Sequence, residues 1–153
     1  MLKPMIIALA LGICLPAVGN ACMTSPGRSA ELLSMINAER NRAGLARLQL
    51  DGNLTSAAQA HACDNAGRKS YAHEGSDGSD LLIRVKRAGY RLREAAENTF
   101  LGRSGAGAAV GYWMKSGYHR QNMLNAGYRD AGVGVAATGD GREAWVLVVG
   151  QGS

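Results

Sequence analysis

The sequence predicts an α+β fold in which helices cover a small antiparallel sheet that finishes in a C-terminal β-hairpin. Three observations lead there. The first two thirds carry several segments with apolar residues at helical spacing, each bounded by a capping residue or a glycine. The end of the chain carries two apolar runs, "AGVGVAAT" and "EAWVLVVG", joined by "GDG", which is a hairpin signature. With 153 residues, 46% hydrophobic and 19% charged, and no internal repeat, the composition suits one packed domain.

Residues 1–21 read as a secretory signal. Lys3 supplies the positive start, Met5 to Leu15 the apolar run, and Pro16 to Ala21 a small-residue segment with Gly19 and Ala21 at the cleavage spacing. The run is shorter than the roughly 20 residues of a membrane-spanning helix, so the expectation is a secreted or periplasmic protein without a span. Cys22 directly after Ala21 offers acylation as a competing reading, but Gly19 stands where a bacterial lipoprotein signal carries leucine. Loss of the leader removes Cys14 and leaves Cys22 and Cys63, an even pair suited to a disulfide in an oxidising compartment; two buried free thiols are the alternative.

Residues 22–29 are expected as a short linker containing Pro26 and Gly27, followed by a single domain over residues 30–153. Ser29 is positioned to cap a first helix with Leu32, Leu33 and Ile36 on one face, stopped by Gly44. Asp51 caps a second helix that ends near Gly67. "YAHEGSDGSD" has the glycine, serine and aspartate content of a loop, which places His73 there. Ser79 or Asp80 starts a third helix that runs to Gly89. "REAAENTFLG" reads as an edge strand carrying Glu97, and Gly105 to Lys115 as a fourth helix. "SGYHRQNML" then turns out of that helix.

Formal net charge is +5, with acidic residues interleaved among the basic ones along the chain. That pattern favours solubility and weak attraction to anionic envelope polymers, and it lacks the basic stripe and module of a nucleic-acid binder.

His73, Glu97 and His119 are ordinary residues taken singly. Taken with "LLSMINAERNRAGLARLQLDGNLTSAAQAHACDN", "RVKRAGY", "AENTFLG", "WMKSGYHRQNMLNAGYRDAGVGVA" and "WVLVVG", in that order, they make the chain resemble the CAP superfamily from Ala30 to Gly150. That superfamily comprises the cysteine-rich secretory, antigen 5 and pathogenesis-related proteins, and the resemblance is to its bacterial secreted branch. It implies an α-β-α sandwich and a cleft formed by His73, Glu97 and His119, with Ala96 replacing the glycine of the family's "GEN". Ser116 stands where many eukaryotic members carry a second acid. Arg84, Ser116, Arg120 and Asn122 are expected to support the cleft.

Two imidazoles and a carboxylate offer an open site for Zn²⁺ or another divalent cation, His73 and His119 with Glu97, completed by water. Without metal, the same groups form a hydrogen-bonded network in which Glu97 raises the histidine pKa values. His61, which shares a helical face with Leu54 and Ala58, reads as a packed or partly exposed histidine outside this set. Three functions compete: a monomeric secreted module that binds a lipid, glycan or other cell-envelope ligand; a metal-assisted hydrolase or peptidase with Glu97 as base; and a structural or stress-associated envelope protein without a ligand. For the hydrolase no nucleophile is visible, since Cys63 is expected to be bridged and Ser116 lacks an elbow motif.

Overall fold

The computed structural model describes Cys22 and residues 25–153; the expected leader, residues 1–21, lies outside the described residues. In chain order these residues form α1 (Pro26–Arg42), β1 (Gln49–Leu50), α2 (Gly52–Arg68), α3 (Leu81–Arg87), β2 (Leu92–Gly102), α4 (Gly105–Lys115), α5 (Gly117–Leu124), β3 (Asp130–Ala137) and β4 (Glu143–Gly152). The sheet order is β1-β3-β4-β2.

Strand β4 is apolar on both faces, and the layers follow from its alternation. Trp145, Leu147 and Val149 join Leu32 and Ile36 of α1, Ala109 and Trp113 of α4, and Met123 of α5 in one core. Ala144, Val146 and Val148 join Leu54, Ala58 and Ala62 of α2 and Val85 of α3 in a second. The result is the α-β-α sandwich that the resemblance implies. Strand β3 alternates in the same sense, but its α2 side is built from Gly132 and Gly134. A Cβ at Gly134 would lie 2.3 Å from the Ala58 carbonyl oxygen, so glycine is what lets α2 lie directly on the sheet.

Three details depart from the sequence reading. The sheet is mixed, because β1 pairs in parallel with β3 through Gln49 N–H to Arg129 O (2.8 Å) and Asp51 N–H to Ala131 O (2.9 Å). Two residues carry no periodicity that could announce a strand. Helix α1 starts at Pro26 rather than after Ser29; proline lacks the N–H that the first turn leaves unpaired, so it opens the helix at no cost. Ser29 is instead buried and donates to Val133 O at 3.2 Å. The segment carrying His119 is the helix α5, separated from α4 by the extended Ser116. The other boundaries agree, with Asp51 accepting from Leu54 N–H and Asp80 from Ile83 N–H as N-caps.

Cys22 and Cys63 form a disulfide, with their Cα atoms 5.7 Å apart. The bridge ties the residue ahead of α1 to α2 across a sequence separation of 41, and constraining a loop of that length stabilises by about 4 kcal/mol on the chain-entropy model. It also occupies the sulfur that acylation of Cys22 would require.

Candidate functional site

The register of β2 on β4 decides which way each site residue faces. Glu97 lies opposite Val148, so it points to the α2 layer; Asn98 lies opposite Leu147 and points to the α4–α5 layer. Since β2 is an edge strand, side chains from both layers reach its free edge. Trp113 Nε1–H donates to Thr99 O (2.9 Å), and the Asn122 amide donates to Asn98 Oδ1 (2.9 Å) and Glu97 O (3.4 Å), which cover the edge and lock α5 against it. Asn98 in turn donates to His119 O at 2.9 Å.

Glu97 is the centre of the site. Its side chain is 2% exposed and both carboxylate oxygens are taken: Oε2 accepts from Arg84 Nη2 at 2.8 Å, and Oε1 lies 2.9 Å from His73 Nδ1. Because a carboxylate oxygen accepts, His73 Nδ1 carries the hydrogen and its Nε2 is left free on a side chain that is 60% exposed. Arg84 spends its other branch on Ser79 O (2.8 Å), fixing the loop that ends at α3. Outside the carboxylate lies an open cleft of about 520 Å³ lined by His73, Glu74, Asp80, Leu81 and Glu97.

His61 belongs to this centre, although the sequence places it outside. It is buried, as its apolar helical face predicts, but that face meets Glu97: Nε2 lies 2.8 Å from Ala72 O, to which it donates, and 3.8 Å from Glu97 Oε1. Burial pushes the His61 pKa below its ordinary 6.5 despite the attraction of Glu97. The His119 pKa is also pushed down, first by burial and then by the nearby His73 charge. The expectation that Glu97 would raise the histidine pKa values is therefore reversed at His119, where desolvation dominates. The Nδ1 atoms of both His61 and His119 are buried without a hydrogen-bond partner.

These two rings make stability depend on pH. An unfolded chain protonates His61 and His119 near pH 6.5, whereas the folded one resists, so the unfolded state binds more protons below that pH and stability falls as pH falls. Thermal melts between about pH 7.5 and pH 5 should show Tm declining below the ordinary histidine value. His61→Gln should flatten the slope, leaving the part due to His119; an unchanged slope would assign no such role to His61.

The expected support residues divide. Arg84 holds the Glu97 carboxylate and Asn122 holds α5 against β2. Ser116 joins α4 to α5 and accepts Arg120 N–H through its backbone at 2.9 Å. Arg120 is exposed and borders a separate depression with Gly117, Gln121 and Leu124. The brace that the sequence reading missed is Arg40, fully buried in α1, whose guanidinium donates to Ala46 O, Met123 O, Asn125 O and Tyr128 O and so anchors the end of α5. Its place near a basic helix end carries no signal of burial.

Among the described residues no three His, Cys, Asp or Glu side chains converge as a metal-ligand set. Both Glu97 oxygens already accept a hydrogen bond, from His73 and from Arg84. The free Nε2 of His73 is oriented from behind by Glu97, and the His119 ring has an Nδ1 with no partner.

A three-layer α-β-α sandwich over a four-stranded sheet defines the class. The chain belongs to the CAP, or cysteine-rich secretory protein, family, whose profile matches residues 33–150. It is 30% identical over 109 residues to the uncharacterized protein YkwD of Bacillus subtilis, a match covering 71% of this chain and 42% of that one. An extracellular protein containing a SCP domain from Bacillus anthracis superposes with a TM-score of 0.68 at 25% identity, over 80% of this chain and 40% of that one. An outer surface protein of Borrelia burgdorferi superposes with a TM-score of 0.77 at 19% identity, over 86% of this chain and 97% of that one. The chain thus spans less than half the length of the Bacillus relatives.

Proposed function

We propose that this protein is a secreted binding module of the cell envelope whose edge-strand cleft holds its ligand beside His73 and His119. The observation that carries the reading is the commitment of both Glu97 oxygens to Arg84 and His73. A general base must reach a water in the cleft, and the Glu97 side chain is 2% exposed with each oxygen already accepting from Arg84 or His73. Its role is positional: it holds the His73 tautomer and leaves Nε2 facing the cleft. No observation favours the hydrolase reading, and a cleft with an exposed, oriented imidazole is more than a purely structural protein requires. The disulfide suits an oxidising compartment, and the extracellular description of the Bacillus anthracis protein supports secretion by residues 1–21.

His73 and His119 would hold a divalent cation such as Zn²⁺, which when bound supplies a Lewis-acidic point for an oxygen of the ligand. With two protein nitrogens and no carboxylate, affinity is modest. Calorimetric zinc titration of the protein purified without a histidine tag tests this. Binding at a single site should weaken at least about tenfold in both His73→Ala and His119→Ala, as expected when a ligand to the metal is removed. Titrations unchanged in both variants would overturn the metal reading and leave a metal-free binding cleft.

A further inference from the structure

The exposed aromatic residues lie on segments around one strand edge. It has five tyrosines, two tryptophans and one phenylalanine; both tryptophans, Tyr90 and Tyr128 are buried, while Tyr71, Tyr112 and Tyr118 stand 62%, 47% and 86% exposed. Tyr71 and Tyr112 flank β2, and Tyr118 stands on α5, which packs against the same edge. Tyr71 follows α2, and Thr99 Oγ1 donates to its carbonyl. Tyr112 comes from α4 on the other side, and the two share a depression of about 190 Å³ with Phe100 and Leu101. The row continues toward the cleft, with the Tyr112 ring centroid 5.4 Å from that of Phe100 and 5.6 Å from that of His119, and with Tyr118 preceding His119 on α5.

We propose that this aromatic edge binds a neutral oligosaccharide, with sugar rings lying across Tyr71, Tyr112 and Tyr118 next to His73. The inference rests on the binding reading above and names its ligand class. A pyranose presents a face of C–H bonds with partial positive charge, which packs on the negative face of an aromatic ring. Its equatorial hydroxyls meet the phenol hydroxyls and the exposed His73 imidazole. Tyrosine suits that double demand, since its ring is apolar and its tip is wet. An acyl chain asks for an enclosed aliphatic channel instead. The depression is open and smaller than the roughly 300 to 1,000 Å³ of pockets that enclose a small molecule, and the exposed aliphatic residues Leu50, Leu82 and Ile83 belong to β1 and α3, not to this row.

Chitotetraose and cellotetraose are the probes, titrated separately into the protein and followed by NMR or calorimetry. At least one should bind saturably, and Tyr71→Ala and Tyr118→Ala should each weaken it about tenfold, the loss of one ring contact. Tyr118→Phe should retain binding, because it keeps the ring face, and its 86% exposure makes both Tyr118 variants safe for folding. Zinc affinity should be unaffected in the tyrosine variants, so failure of zinc binding and failure of sugar binding are distinguishable. No binding of either saccharide to the unmodified protein overturns the proposal, as does binding that the tyrosine variants leave unchanged. Tyrosine-dependent sedimentation with phosphatidylglycerol vesicles, without sugar binding, also overturns it and makes the edge a membrane surface.

Discussion

Glu97→Ala should destabilise the protein by about 3 to 5 kcal/mol, the cost of removing one partner from a buried ion pair. Arg84 is 8% exposed and meets Glu97 at 2.8 Å, so truncation leaves a guanidinium in the second core with only Ser79 O for company. His73 loses its orienting acceptor at the same time. Chemical denaturation should register the loss directly, and thermal melts should show a fall on the order of 10 to 20 °C. The double variant Arg84→Met with Glu97→Leu should recover most of it, because replacing both charges with apolar groups leaves nothing unpaired. A single-variant loss below about 1 kcal/mol, the scale of an exposed pair, would mean that the pair is solvated and that Glu97 does not organise the cleft.

Gly134→Val should be as damaging for a different reason. Its Cβ would stand 2.3 Å from Ala58 O, 2.4 Å from Ala58 C and 2.6 Å from Gln59 Cα. These are backbone atoms of α2, which no rotamer change can move. The helix must lift from the sheet, separating Leu54, Ala58 and Ala62 from Val146 and Val148 and pulling the Gln59 amide from Val135, with which it exchanges two hydrogen bonds of 2.9 and 3.1 Å. We expect a loss of at least about 3 kcal/mol, the upper end of overpacking costs, read by urea denaturation. Gly139→Ala in the hairpin loop, where an added Cβ meets nothing within 4 Å, is the matched control and should be near neutral.

Much of the architecture was legible in residue order because it rests on local rules. Asp51 and Asp80 cap helices with their own side chains, "GDG" closes the hairpin, and β4 announces its burial by its long apolar run. The reading of "REAAENTFLG" as an edge strand also agrees with the place of β2 at the end of the sheet. The disulfide followed from counting cysteines. The family resemblance picked out His73 and Glu97, which the structure brings to 2.9 Å, and His119, whose pKa responds to His73.

Other features depended on partners distant in the chain. His61 reads as a packed helix residue and is one, yet what it packs toward is Glu97, far along the chain and 3.8 Å away in space. Arg40 looks like an ordinary basic residue near a helix end, and only the return of α5 and its following loop surrounds it with carbonyls. Tyr71 and Tyr112 are scattered letters until the two helical layers meet beside β2.

Residue order thus carries the helices and their caps, the terminal hairpin, the cysteine pairing and the pairing of His73 with Glu97, since each is written in a short period, a motif or a count. Three-dimensional packing was needed to show that Glu97 is held by Arg84 and His73, that His61 stands behind it, and that Tyr71 and Tyr112 share one depression. Those outcomes depend on the register of β2 against β4 and on which layer each loop returns to; a slip of one residue would turn Glu97 to the opposite face.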